Sequence, residues 1–536
     1  MVRIWDIVVR FPILIGIALI LTQTLPVLDS RWLWFSDEVR YAEAYSNLIQ
    51  NGQWIVLSLN GEAYPDKPPV YFLLLALLDQ IPGVGMPDVM WLGSAVSAII
   101  LLFAMQALAT AVGINRSGFA AGMLVQLSLF GMVLLLHYVR MDLLFVAFMI
   151  AGQAYLHRYY YKGEASRNAY IGFALAGLAV LVKGPLGLLL PLVAVWGTVL
   201  WAGRGAAILR ATTVLGLLLA VLVTAIWVLG IVAVEGWAFF RDQIIGQQVV
   251  SRATDAFHHS EPFAYYFVVL PVLLLPWTGL AFALPWRRFL RWPTAVWSAR
   301  RELDAVGILG VGAFLHFMTL SLLDGKVGVY VLPILVQVSL LAGALLAARS
   351  MPRAWAGVAT MTIIFGAGLV GLSFTQQAAD YRIGALATGG FLILLGGLLF
   401  LLRRAGRKAL LAQSVAMVGW SLLLAAVLLP GLNESTSTRI TAAHLGRLAD
   451  TGYVPVAYRT YPGIFSYYAE RDVVQIDDPG TLNALLAEGG PVVIAGRKRH
   501  LDKLDLSGFE LVDSRVINGA GGRYEVVSRS GQVTGD

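Results

Sequence analysis

The sequence predicts an all-α polytopic membrane bundle that carries a small C-terminal α/β domain. Three observations lead there. The chain of 536 residues is 58% hydrophobic and only 13% charged, where soluble globular domains run at about 45–50% apolar and about 25% charged. A soluble fold leaves too much wet surface to hide that excess. Apolar runs of membrane-spanning length recur as far as residue 430, and from about residue 433 the composition turns to charged residues and short apolar strands.

Taken in order, the runs near 7–28, 91–112, 118–136, 142–157, 170–182, 184–201, 211–234, 264–285, 304–323, 327–347, 355–373, 383–402 and 409–430 make 13 spans. Each approaches the stretch of about 20 residues that a hydrocarbon core demands. The fifth and sixth are short and meet at Lys183-Gly184-Pro185, so one broken or re-entrant element is the alternative there. With the N-terminus in the cytoplasm, 19 Lys and Arg flank the spans inside and nine lie outside, as the positive-inside rule requires. The net charge of +7 is therefore chiefly a topology signal and no argument for nucleic acid. The N-terminal run lacks a small-residue cleavage site and reads as a retained first span. An odd number of spans sends the C-terminus out. Residues 1–432 form the membrane domain and 433–536 an external α/β domain, in which VPVAYR, DVVQID and PVVIAG read as strands and TLNALLAEG as a helix ending at Gly489. No internal repeat is visible, against the plan of inverted-repeat transporters.

The first external loop, residues 29–90, is long and patterned. Ser36 reads as an N-cap, Asp37 and Glu38 fill the first turn, and Asn51-Gly52 ends the helix. Val39, Ala42, Tyr45, Leu48 and Ile49 share one face, which predicts an amphipathic helix on the membrane surface. Beyond the turn, Lys67 and two prolines lead into a second apolar interfacial helix. Asp37 and Glu38 either cap a surface helix or belong to a site; Lys67 either reaches for lipid headgroups or holds an anion.

The string DEVRYAEAYSNLIQNGQWIVLSLNGEAYPDKPPVYFLLLAL resembles the first-loop signature of bacterial polyprenyl-phosphate-dependent glycosyltransferases of the GT-C superfamily, among them the lipid A aminoarabinose transferases and the protein O-mannosyltransferases. An acidic pair, R-Y-A-E, G-x-W and Y-x-x-K-P-P follow in the family's order. LVKGPLGLLLPL, the D-G-K-x-x-x-Y-x-L-P stretch at 324–333 and the plan of 13 spans plus an external α/β domain are also similar. Asp66 stands where the aminoarabinose branch tends to have Glu. The resemblance implies a GT-C bundle in the bacterial inner membrane, with active site and C-terminal domain periplasmic. It implies an inverting glycosyltransferase that moves a sugar from polyprenyl (undecaprenyl) monophosphate to lipid A, another envelope glycan or a protein.

Such a transfer develops oxocarbenium character at the sugar and charge on the departing phosphate. A carboxylate must activate the acceptor and cations must hold the phosphate. The resemblance puts Asp37 in the reaction centre, with Glu38 the lesser candidate because adjacent residues do not share a helix face, and it places Asp142 near Asp37 as a second carboxylate. By residue type and place, Arg140 and Asp142 at the edge of an apolar helix are either a mutual ion pair or functional. Lys67, Lys183, Lys326 and Arg252 are isolated external cations beside spans, suited to phosphate. Lys183 is the sharpest, since a purely structural lysine between two apolar stretches is expensive. Tyr330 follows Lys326 by one helical turn and either donates to the same phosphate or is an interfacial belt tyrosine. Tyr64 is carried only by the Y-x-x-K motif.

The external loop 235–263 holds His258 and His259. Adjacent histidines point apart and no H-x-x-x-H spacing exists, so loop histidines are the default. The resemblance holds open a metal site pairing His258 or His259 with Asp66, while no cofactor is required by the chemistry. With no cysteine in the chain, thiolate chemistry is excluded, and no nucleotide-binding glycine motif appears. A transporter or flippase of a lipid-linked glycan, and a sugar-polymer ligase using a diphosphate lipid, are the competing functions.

Overall fold

The computed structural model describes residues 2–251, 260–283, 291–519 and 521–530. It is mostly helical and divides into two compact units. One contains Met1–Val27, Asp66–Leu74 and Trp91–Leu424; the other contains Leu28–Pro65, Leu75–Met90 and Ala425–Asp536.

In the first unit, apolar helices pack side by side. Among the described residues, and with Asp88–Val112 included, seven helices are long and apolar enough to cross a membrane, or ten if each of three bent pairs counts as one span. The other three of the 13 runs correspond to the helices Asp142–Tyr160, Arg167–Lys183 and Leu186–Trp201, of 19, 17 and 16 residues. The first of them is diluted by Asp142, His157 and Arg158, and the other two are short for a bilayer core. Small residues let the helices close on one another. A Cβ on Gly343 would stand 2.2 Å from the Gly122 nitrogen, and one on Gly389 would stand 2.6 Å from the Gly366 carbonyl oxygen.

The element broken at Lys183-Gly184-Pro185 is a helical hairpin. Gly184 takes φ +106°, Pro185 opens the next helix, and Gly187 sits so close to the Ala179–Val180 peptide that a Cβ there would come within 2.6 Å of it. The second helix thus folds back along the first, with Lys183 at the tip of the turn.

The second unit joins the long first loop to the C-terminal sheet. Its loop helix spans Asp37–Asn51 and ends at Gly52 in a left-handed conformation, φ 66°. Ser36 occupies the N-cap position, but its side chain makes no capping hydrogen bond. The face read from the sequence as lying on a membrane is instead covered by protein: Val39, Ala42, Tyr45 and Leu48 are buried, and only Ile49 is exposed. What covers it includes a hairpin of β1 (Leu57–Leu59) and β2 (Glu62–Tyr64) and the short helix Ser466–Ala469. The hairpin turns on Asn60 (φ 51°) and Gly61 (φ 75°), the positive-φ pair that a tight two-residue hairpin favours.

The C-terminal sheet has five strands, β3 (Val454–Tyr458), β4 (Val474–Ile476), β5 (Val492–Arg497), β6 (Glu510–Ile517) and β7 (Gly522–Arg529), in the order β4-β3-β5-β7-β6. β3 runs parallel to β4 and β5, whereas β7 pairs antiparallel with β5 and β6. The strands read from VPVAYR, DVVQID and PVVIAG are β3, β4 and β5, and the helix between the last two is Pro479–Ala487, N-capped by the Asp478 carboxylate on the Thr481 N–H at 2.8 Å. Val456, Tyr458, Ile476, Leu482, Ile494 and Val527 form its core.

Candidate active site

In the first unit, Asp142 opens helix Asp142–Tyr160 with 2% of its side chain exposed. Its Oδ2 accepts from Arg140 Nε at 2.9 Å and its Oδ1 from Lys183 Nζ at the hairpin tip. The Lys183 ammonium lies 4.8 Å from the centroid of the Tyr330 ring, a cation–π distance. Lys67 is near enough for its charge to act on Lys183. Two cations thus share one buried carboxylate, and the carboxylate sits at a helix N-terminus that already favours negative charge. Burying charges of both signs together is less costly than burying either alone, and the cations of the cluster are of the kind that binds anions. A phosphate is such an anion.

Asp142, Lys183 and Tyr330 are therefore brought together, with Lys67 in electrostatic reach. Arg140 joins them through Asp142, so the ion pair of Arg140 with Asp142 is part of the cluster. Lys326 follows the bridged Gly325. It is buried, and its Nζ donates to the Glu261 carbonyl at 2.7 Å, fastening the 324–326 turn to the 260–261 segment beside the Ser260–Gly325 bridge. Tyr330, expected to serve the same anion as Lys326 one helical turn earlier, lies by Lys183. Asp66 is half-buried in the turn before Lys67. Arg252, His258 and His259 lie outside the described residues. Among the described residues no group of three or more His, Asp or Glu side chains could hold a metal ion.

Asp37, Glu38 and Tyr64 belong to the second unit. Asp37 is the half-buried first residue of the loop helix. Glu38 is wholly buried and both its oxygens are engaged: Arg31 donates to Oε2 at 2.7 Å and to Oε1 at 2.5 Å, and the Trp34 N–H donates to Oε2 at 2.8 Å. This bidentate pair locks the entry to the helix and leaves Asp37 as the acid of the pair that is half-exposed. The Arg40 guanidinium stands 5.0 Å from the Tyr64 ring centroid, and its Nε donates to the Pro462 carbonyl at 3.0 Å.

Glu43 is the buried acid that no expectation from the sequence singled out. It is 3% exposed. Its Oε1 accepts from the Asn60 N–H at 2.6 Å, while Oε2 has no hydrogen-bond partner. Burial, reinforced by Asp472, pushes its carboxyl up to about 7 against the opposing pull of the Asn60 N–H and Arg40. A raised carboxyl costs nothing below its unfolded value near 4.5 and its full penalty above about 7. Wild-type stability is therefore expected to fall across that window relative to a Glu43→Gln variant, by on the order of 3 kcal/mol. Melting of both proteins at a series of pH values checks this; parallel curves would refute it.

Residues 66–229 match the family described as dolichyl-phosphate-mannose-protein mannosyltransferase. Two curated relatives are undecaprenyl phosphate-alpha-4-amino-4-deoxy-L-arabinose arabinosyl transferases. That of Proteus mirabilis is 27% identical over 335 residues, covering 61% of this chain and 58% of its own length. That of Pseudomonas fluorescens is 26% identical over 440 residues, covering 79% of this chain and 76% of its own. The first match thus spans less than two thirds of its relative. The solved structure of ArnT from Cupriavidus metallidurans bound to undecaprenyl phosphate superposes with a TM-score of 0.74 at 20% identity, over 98% of this chain and 99% of that one, which shows the fold. In sequence and in fold, this chain is similar to the GT-C glycosyltransferases that use polyprenyl-phosphate sugars, the lipid A aminoarabinose transferases in particular.

Proposed function

We propose that the protein is an inverting glycosyltransferase of the bacterial inner membrane that moves a sugar from polyprenyl monophosphate to an envelope acceptor, with lipid A the first candidate. The observation that carries this reading is the cluster in which Arg140 and Lys183 share the buried Asp142 carboxylate while Lys67 adds a further positive charge. Cations so placed suit a phosphate headgroup, and their hold on it strengthens as charge develops on the leaving oxygen. Tyr330 offers a hydroxyl donor to that anion, and Tyr64 is carried to the donor phosphate by the Y-x-x-K motif alone. Asp37 takes the proton of the attacking acceptor hydroxyl, and attack opposite the phosphate inverts the anomeric carbon. Glu38 positions Asp37 through its lock on Arg31.

The relatives' names place undecaprenyl phosphate among their substrates, and the charge bias across the spans supports a periplasmic site with the N-terminus in the cytoplasm. No step is assigned to a metal. Mass spectrometry of lipid A and envelope polysaccharide from a strain lacking the gene tests the proposal: loss of one sugar mass, restored by the wild-type gene, is expected. An unchanged envelope glycan profile would refute it.

A further inference from the structure

We propose that a cleft wholly within the second unit is a saccharide-binding subsite, in which Glu43 and the polar stripe of the loop helix grip sugar hydroxyls beside an aromatic wall. The cleft has a volume of about 1000 Å³, the upper end of the range of about 300–1,000 Å³ usual for small-ligand sites. Glu43, Ser46, Asn47 and Gln50 line it. Their spacing of three, four and seven residues puts them on one face of the helix Asp37–Asn51.

The chemistry of the lining selects the ligand. Glu43 is almost fully buried and its Oε2 lacks a partner, a cost that is relieved when its side chain turns from this sealed position to a donor in the cleft it lines. Asn47 and Gln50 each offer donor and acceptor atoms. Across from them, the Tyr468 hydroxyl accepts from the Leu33 N–H at 2.8 Å, which fixes its ring, and Tyr467 meets that ring edge-on at 5.0 Å. Arg439 stands 4.8 Å from the Trp32 ring and 5.8 Å from that of Tyr468, so the wall is rigid and aromatic.

An anion is disfavoured here. The Arg31 guanidinium is engaged by Glu38 and that of Arg471 by Asp450, Arg439 lies against the Trp32 and Tyr468 rings, and Asp29, Glu470 and Asp472 supply negative charge to the lining, which Glu43 joins only above about pH 7. A ligand of many hydroxyls and flat apolar ring faces satisfies acceptor-rich walls and aromatic rings together. The backbone agrees with a built site. Gly463 has φ +75°, and a Cβ there would come 2.6 Å from Glu43 Oε2; glycine is what allows the buried carboxylate to sit where it does.

The inference does not rest on the transfer reaction and is tested by binding alone. Full-length purified protein is titrated with maltose, lactose, chitobiose and inorganic phosphate, followed by saturation-transfer NMR for the sugars and calorimetry for phosphate. At least one disaccharide is expected to bind, to weaken about tenfold or more in Glu43→Gln and Asn47→Ala, and to bind Asp37→Asn like wild type. Overturning results are an absence of binding by every disaccharide, equal affinity in Glu43→Gln, loss of binding in Asp37→Asn, or phosphate displacing the sugar.

Discussion

Replacing Asp37 by asparagine is expected to lower sugar transfer by about a hundredfold to ten-thousandfold, the usual contribution of a positioned general base, with donor affinity close to wild type. The amide has nearly the volume of the carboxylate but cannot take the acceptor's proton. The donor phosphate is assigned to cations of the other unit, so its binding is untouched. Initial rates with labelled lipid-linked sugar, beside a direct binding measurement on the same variant, separate the two effects. Equal losses of rate and donor affinity would make Asp37 a binding residue, and an undiminished rate would remove it from the site.

The second large effect concerns Lys183 and Asp142. Lys183→Met leaves the buried Asp142 carboxylate short of a partner, and Asp142→Asn leaves two cations without their anion. Removing one partner of a buried ion pair costs about 3–5 kcal/mol. Each single variant should therefore melt several degrees below wild type. The double variant Asp142→Asn/Lys183→Met should be more stable than the sum of the two single losses, since it removes both charges of one pair and leaves only Arg140 short of the carboxylate. Transfer should nevertheless stay at least about a hundredfold down in the double variant, because a cation aimed at the leaving phosphate is gone. Recovery of both stability and transfer would reduce the pair to a structural role. A double variant no more stable than the sum of the two single losses would mean that Asp142 and Lys183 are not coupled.

These contrasts show which features were legible from residues in line. Lys183 stood out because a lysine between LAVLV and GPLGLLLPL has no inexpensive structural excuse, and it proved to be the tip of a hairpin on Asp142. Local spacing links Tyr330 to Lys326 and says nothing of Lys183, which folding brings to the tyrosine while the Lys326 ammonium donates to the Glu261 carbonyl. The loop helix was legible in its ends and its apolar face. What covers that face was not, because periodicity distinguishes apolar from polar but not lipid from protein. The hairpin at Asn60-Gly61 had a readable turn signal that the neighbouring motif overshadowed. Strands β6 and β7 escaped because Glu510, Asp513, Arg515, Arg523 and Glu525 break their apolar runs; only strands covered on both faces read as continuous apolar stretches. Glu43 lay inside the R-Y-A-E motif, yet its burial depends on Asn60, Gly463 and Asp472, residues far from it in sequence.

The central claim is that a sugar leaves a polyprenyl monophosphate on this protein. Its most direct test reconstitutes the purified protein in proteoliposomes containing undecaprenyl phosphate charged with a labelled sugar, with lipid A as acceptor, and follows both products. The account predicts label on the acceptor, inverted at the anomeric carbon, with an equal amount of free undecaprenyl monophosphate released. Intact labelled lipid crossing the bilayer with no monophosphate released would contradict it and establish a flippase.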